Sequence, residues 1–226
     1  MRDDMVRAFV GAVVLLLALT HGVAHAQAVG VAASSPSSRS FDVRAFGAKG
    51  DGVTIDSDAI NRAIDAASAV GGGTVQFPAG TYASHSIRLR SHVGLHLDQG
   101  ATILAADTST GRGYDPAEPG PSNAFQDFGH SHWHNSLIWG ENVDGVSITG
   151  PGRIDGRGLS RGLGAGASDL NTRPGQANKA IALKLSRNVL LRDFSILRGG
   201  HMAILATGVD NLTIDNLSID TNRDGI

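Results

Sequence analysis

Residues 187–201 read RNVLLRDFSILRGGH, and residues 210–224 read DNLTIDNLSIDTNRD. Aligning Asn188 with Asn211 sets Val189 on Leu212, Leu191 on Ile214, Ile196 on Ile219 and His201 on Asp224, an offset of 23 residues throughout. One more step of the same length back from His201 reaches Asn178. A period in this range marks a solenoid, whose repeats cannot bury their own apolar faces and must stack on their neighbours. Inside each copy the apolar residues alternate with polar ones, as in Leu212-Thr213-Ile214, Leu217-Ser218-Ile219, and Ile181, Leu183 and Leu185 around Ala182 and Lys184. Period two sends one set of side chains to a buried face and the other to solvent. Two short strands per repeat, parted by turn residues such as Asp215-Asn216 and Arg192-Asp193, leave no room for a crossover helix. The expected fold is all-β: a parallel β-helix in which each strand pairs with its equivalent one coil away, about 4.8 Å along the axis.

Composition agrees. The chain of 226 residues holds 30 glycines and few aromatic rings, which suits many tight turns around small aliphatic side chains. A formal net charge of -2 gives no reason to expect nucleic acid or an anionic membrane as partner. The cations are almost all arginine, whose planar fork suits carboxylates, so anionic substrates stay open. There is no cysteine, hence no disulfide framework, and stability must come from the stacked core.

The N-terminus reads as an export signal over residues 1–26: Arg2 and Arg7 at the start, an apolar run over 9–19, and the small-x-small site Ala24-His25-Ala26. The run is shorter than the roughly 20 residues a membrane span needs. The mature protein is therefore expected outside the membrane, secreted or periplasmic. Residues 27–40 form a Ser/Ala linker with Pro36 and no periodicity, expected to be disordered. The folded domain then runs over 41–226.

FDVRAFGAKGDGVTIDS, from Phe41, contains a short strand and then Gly47, Gly50 and Gly52 for a tight turn. Asp56 or Ser57 is placed to accept bonds from the free amides of a helix start. Ile60, Ala63, Ile64 and Ala67 give that helix one apolar face, and Gly71-Gly72-Gly73 stops it. Its expected task is to cap the open end of the solenoid. The glycine-rich turn lacks Gly-Lys-Ser/Thr and is not a phosphate loop.

Residues 74–78, 87–89, 93–97 and 101–104 read as the first coils. Periodicity fails over 107–136, an excursion carrying Tyr114, Phe125, Phe128 and Trp133, rings suited to the apolar faces of sugars. His130, His132 and His134 alternate there, but without cysteine or carboxylate at ligand spacing they read as a polar loop, not a metal site. LIWGENVDGVSITGPGRIDGRG resumes the coil at Leu137. From Val146 to Val189, either one coil carries a glycine-rich excursion over 157–176 or two coils fit irregularly.

LIWGENVDGVSITGPGRIDGRG, NVLLRDFSILRGG and the terminal TNRDGI together resemble glycoside hydrolase family 28, the polygalacturonase-type pectin hydrolases; FDVRAFGAKGDGVT is shared more widely among β-helix polysaccharide enzymes. The resemblance spans 41–226. It implies a right-handed parallel β-helix that hydrolyses bonds between uronic acids with inversion, needs no metal or other cofactor, and works as a monomer on a polysaccharide. Asn222-Arg223-Asp224-Gly225 matches the family's Asn-x-Asp-Gly motif, with Arg223 where threonine is usual, and makes Asp224 the carboxylate that activates water. The family's paired aspartates with the general acid, its Gly-His-Gly histidine and its Arg-x-Lys clamp would all follow Ile226. The expectation is thus an N-terminal fragment, truncated at its C-terminal end and inactive as given, because inversion needs two carboxylates roughly 6.5–9.5 Å apart.

The spacing alone puts Asn178, His201 and Asp224 on one outward line, suited to an extended glycan. Asn222, Arg223, His201, Lys179 and Asn178 are the candidate substrate contacts, Arg223 through a uronate carboxylate. Asn188 and Asn211 read as a structural ladder. Two other functions stay open: a polysaccharide lyase on the same fold, and a non-catalytic β-helix that binds glycan or serves as a structural spike.

Overall fold

The computed structural model describes residues 39–108, 113–120, 132–160, 175–221 and 225. The expected signal over 1–26 and nearly all of the linker lie outside these residues. So do Asn222, Arg223 and Asp224.

The chain winds as a right-handed parallel β-helix with three strands per coil rather than the two expected. It enters through β1 (Ser40–Asp42), a 3-10 turn (Val43–Phe46), β2 (Asp51–Ile55) and α1 (Ser57–Ala69). Successive coils are then β3 (Gly73–Phe77), β4 (Gly80–Ser84) and β5 (Ile87–Arg88); β6 (Val93–Leu97), β7 (Ala101–Ala105) and β8 (Ile138–Glu141); and β9 (Asp144–Thr149), β10 (Arg153–Asp155) and β11 (Lys179–Lys184). They continue through β12 (Arg187–Arg192), β13 (Ser195–Leu197) and β14 (Met202–Thr207) to β15 (Asp210–Asp215) and β16 (Ser218–Asp220). The first sheet runs β1-β3-β6-β9-β12-β15, the second β2-β4-β7-β10-β13-β16, and the third β5-β8-β11-β14. The third strand escaped notice in the repeat because β14 is a nearly unbroken apolar run, MAILA, without alternation.

Stacked side chains make the core. Val75, Leu95, Ile148, Leu191 and Ile214 follow one another across the first sheet. Tyr82, Ile103, Ile154, Ile196 and Ile219 do so across the second, and Ile87, Ile138, Ile181 and Ile204 across the third. Each of these that is fully buried contributes about 1.5–3 kcal/mol, while Ile214 and Ile219 are only partly buried. Val189 pairs with Val146 in the adjacent strand, so the interval between them is one coil with an excursion.

The helix covers the first coil as expected, burying Ile60, Ala63, Ile64 and Ala67. Its start differs. Asp56 makes no side-chain cap: its carboxylate accepts from the amides of Lys49 and Gly50, at 2.7 and 3.0 Å. Ser57 Oγ accepts from His85 N at 2.8 Å. Both side chains are taken by the turn and the coil beneath, which outcompete the helix's own free amides.

Asn188 and Asn211 form the expected ladder: Asn211 Nδ2 donates to Asn188 Oδ1, and Asn188 Nδ2 to Asp144 Oδ1, both at 2.8 Å. Both asparagines sit at positive φ, 54° and 55°, which asparagine tolerates better than most residues. Bonds from Asn188 and then Arg187 hold the Asp144 carboxyl below the ordinary carboxylate value.

Candidate active site

Both excursions leave the coil at the same corner, between the second and third sheets: residues 106–137 between β7 and β8, and 156–178 between β10 and β11. One coil later a short turn over 198–201 closes that corner. The excursions touch, Tyr114 N donating to Gly175 O at 2.9 Å. Gly113, at φ +83, faces the Gly175 backbone so closely that a Cβ would stand 2.6 Å from its carbonyl oxygen.

At this corner the structure brings together Asn178, Lys179 and His201, and adds Asn135. His201 N donates to Asn178 O at 2.8 Å, so the two stand in adjacent coils as the repeat requires. They are not on an outward line, however: their exposures are 2% and 1%, and Lys179 is 0% exposed. The return arm of the first excursion lies against Asn178 and Lys179 through Asn135. Lys179 Nζ donates to Asn135 Oδ1 at 3.2 Å and to Asn178 Oδ1, and Asn178 N donates to Asn135 O. Ile204 N donates to Gly225 O at 3.1 Å, so hydrogen bonding along the third sheet continues into the coil that holds Gly225.

The outer face of the third sheet is covered too. Arg88, Trp139, Ala182 and Leu205 form one row across it, and Glu141, Lys184 and Thr207 the next. Trp133, from the return arm, packs with Ala182, Met202 and Leu205, with Trp139 against them. Trp133 is thereby buried, and Tyr114 is buried in the main core beside His85, so they are not an exposed wall of rings for sugars; Phe125, Phe128 and His130 lie outside the described residues. Lys184 Nζ sits 4.5 Å over the Trp133 ring and 3.1 and 3.5 Å from Glu141 and Glu118. His134 stacks on Trp139 at 3.9 Å and bonds Glu141 through Nε2 at 2.8 Å. Burial works against the Glu118 carboxylate, but the amides of His134 and Trp133 overcome it and hold its pKa below the usual value. Glu141 is likewise lowered, desolvation being outweighed by bonds from His134 and Lys184. Arg88 and Asp115 close the edge with a two-pronged pair at 2.8 and 2.6 Å.

Sequence reasoning missed Asn135, Glu118 and Glu141 and read Lys184 only as a solvent-facing position of an alternating strand. The available signal was KAIAL in β11, apolar at both parities after its lysine, which marks a strand covered on both faces. Leu185, read as the end of that buried series, is 58% exposed because the chain turns there at positive φ. The arrangement is chemically a polar, buried corner beside an aromatic plug in which Lys184 lies between two carboxylates.

A family profile described as rhamnogalacturonase A/epimerase, pectate lyase-like, matches residues 40–126. Over 180 residues, 78% of this chain and 23% of the relative, the sequence is 34% identical to plasmin and fibronectin-binding protein A of Streptococcus pneumoniae. Over 177 residues, 76% of this chain and 28% of the relative, it is 33% identical to exo-poly-alpha-D-galacturonosidase of Dickeya chrysanthemi. The fold matches a hyperthermoactive exopolygalacturonase from Thermotoga maritima with a TM-score of 0.65 and 24% identity, covering 83% of this chain and 49% of that one. The chain thus spans about a quarter of these two curated relatives. The resemblance read from the sequence is found again: a pectate-lyase-like profile over residues 40–126, with relatives named as a galacturonosidase and as a plasmin and fibronectin-binding protein. Among the described residues no helix is long and apolar enough to cross a membrane.

Proposed function

We propose that the protein hydrolyses glycosidic bonds in pectin-type polyuronides with inversion, at the corner between the second and third sheets. The observation that carries this reading is the coincidence of two features. The chain is 33% identical to an exo-poly-galacturonosidase over most of its length, and Asp224 of Asn222-Arg223-Asp224-Gly225 falls one 23-residue step after His201. Asp224 is the base that activates water. Arg223 pairs with a uronate carboxylate, Asn222 contacts the sugar, and the buried Asn178, Lys179 and His201 form the polar floor beneath them. A second carboxylate across the scissile bond protonates the leaving oxygen. The protein is exported, and its partner is the polysaccharide itself.

The test is the full-length protein on polygalacturonate, with reducing ends counted and the first product anomer read by NMR. Inverted product is expected, with Asp224→Asn losing about a thousandfold or more in kcat. Undiminished turnover in that variant removes Asp224 from the mechanism, and an unsaturated, ultraviolet-absorbing product turns the assignment to a lyase.

The 34% identity to a plasmin and fibronectin-binding protein favours one second reading, a β-helix that binds without catalysis. Binding of oligogalacturonate or host protein by a full-length protein that shows no turnover would favour it.

A further inference from the structure

A second hollow opens on the outer face of the second sheet, and it shares no residue with the buried corner. In β7 the sequence ATILA is apolar at both parities: Ile103 faces the core, so Leu104 faces outward, yet Leu104 is only 5% exposed. Leu104 pairs with Ala83, and Ala83 with Ile55, which lays an apolar row across β7, β4 and β2. Over this row stands a cavity of about 340 Å³, at the small end of ligand pockets, which start at roughly 300 Å³. Val53, Asp107 and Arg157 line it as well.

The walls are fixed by the chain itself. β2 leaves regular pairing between Asp51 and Ile55. There the Asp51 carboxylate accepts from Val53 N and Thr54 N at 2.9 and 2.7 Å, and the Val53 side chain is left 82% exposed. Gly158 lies against the backbone of Ala105 and Ala106, where a Cβ would stand 2.6 and 2.5 Å from the two carbonyl oxygens, so glycine alone lets Arg157 sit this close to the end of β7. Arg157 N donates to Asp155 Oδ1 at 3.1 Å, and both oxygens of that carboxylate accept from the Arg198 guanidinium. Arg198 therefore balances Asp155. The Arg157 guanidinium is exposed and has no ion-pair partner among the described residues.

A short apolar floor beside one unbalanced guanidinium suits a sugar ring that carries a carboxylate. The C–H face of a pyranose can lie on Ile55, Leu104 and Val53, its carboxylate can take both prongs of Arg157, and its hydroxyls can donate to Asp107. We infer that this cavity is a secondary, non-catalytic site for one uronic acid unit, which holds the polysaccharide on the solenoid beside the candidate active corner. The choice of sugar rests on the hydrolase reading above; the cavity and its charge do not.

Adsorption of the full-length protein to insoluble polygalacturonate tests it, with turnover of soluble trigalacturonate read in parallel. Arg157→Gln is expected to weaken adsorption about tenfold, the loss that follows from removing one charge-assisted pair. Val53→Asp, which sets a negative charge at the same cavity, is expected to weaken it about threefold. Both side chains are exposed, and in both variants kcat and KM on trigalacturonate are expected within about twofold of the parent. On fully methyl-esterified polymer, whose carboxylates are capped, Arg157→Gln should adsorb as the parent does. Parental adsorption of either variant to polygalacturonate overturns the proposal. So does an equal loss on the esterified polymer, which removes the carboxylate from the recognition, and so does a parallel fall in kcat on trigalacturonate, which moves Arg157 into the reaction. Adsorption that depends on Arg157 in a protein without turnover sinks the hydrolase reading alone; turnover without any such dependence sinks this inference alone.

Discussion

Strands β11 and β12 follow each other in the chain yet are built differently. In β12, RNVLLR, only Val189 and Leu191 are buried, Leu190 is half-buried, and Arg187, Asn188 and Arg192 are exposed. In β11, KAIALK, five residues in succession are buried. The first strand has a core on one side and water on the other. The second has the core on one side and Trp133 with its neighbours on the other. The sheets of this solenoid are thus not equivalent: the return arm of the first excursion folds back and turns the outside of the third sheet into an interior, and the polar corner residues are buried beside it.

The sharpest way to break this comparison is a charge placed on each strand. Ala182→Lys sets an unpaired ammonium under Trp133 and Leu205 and is expected to cost about 3–5 kcal/mol in denaturant unfolding. Leu190→Lys, on the open face of β12, is expected within about 1 kcal/mol of the parent. Equal costs would mean that the third sheet is not covered. Removing the plug comes next: Trp133→Ala should cost about 3 kcal/mol and open the two loop arms to protease. A smaller effect sharpens the other side of the comparison. Asn188→Ala loses two hydrogen bonds and forces alanine to φ 54°, for about 1–2 kcal/mol, while Asn188→Gly, free of the strain, should cost less.

The last prediction concerns pH. His85, beneath the excursion, packs edge-on against Tyr114 at 5.1 Å, and burial pushes its pKa below the ordinary 6.5, against a smaller opposing bond at Asp107. The unfolded chain binds this proton more readily than the folded one. Stability is therefore full above 6.5 and is lost as pH falls below it, levelling off once the depressed folded value is passed. Thermal melts of His85→Gln should show a flatter dependence in that window than the parent. Glu118 and Glu141 act further down: their lowered pKa values give stability present above about 4.5 and lost as pH falls through the folded values.

Much of this was legible in the sequence. The repeat fixed the pairing of β12 to β15 and of β13 to β16, because identical apolar spacing one coil apart leaves a single register that buries both copies. The capping helix followed from the spacing of Ile60, Ala63, Ile64 and Ala67. The ladder of Asn188 and Asn211 was legible for the same reason. The enclosure of Asn178, Lys179 and His201 was not. It depends on Trp133 and Asn135, which lie in a segment with no period, and spacing along a coil says nothing about what another segment lays over it. The caps at Asp56 and Ser57 failed similarly: each side chain had a local use and a more distant competitor, and only the packed coil shows which prevails.

The asparagine ladder has a direction. Each amide gives its hydrogens back to the preceding turn of the solenoid, and the series stops at Asp144, a carboxylate that accepts and has nothing to give. Between Asp144 and Asn211 every link asks the same of its neighbour and offers the same in return. A duplicated stretch of 23 residues inserted there would find its bonds already provided on both sides, so the length of such a solenoid is open to growth by copying from within, without redesign of either end.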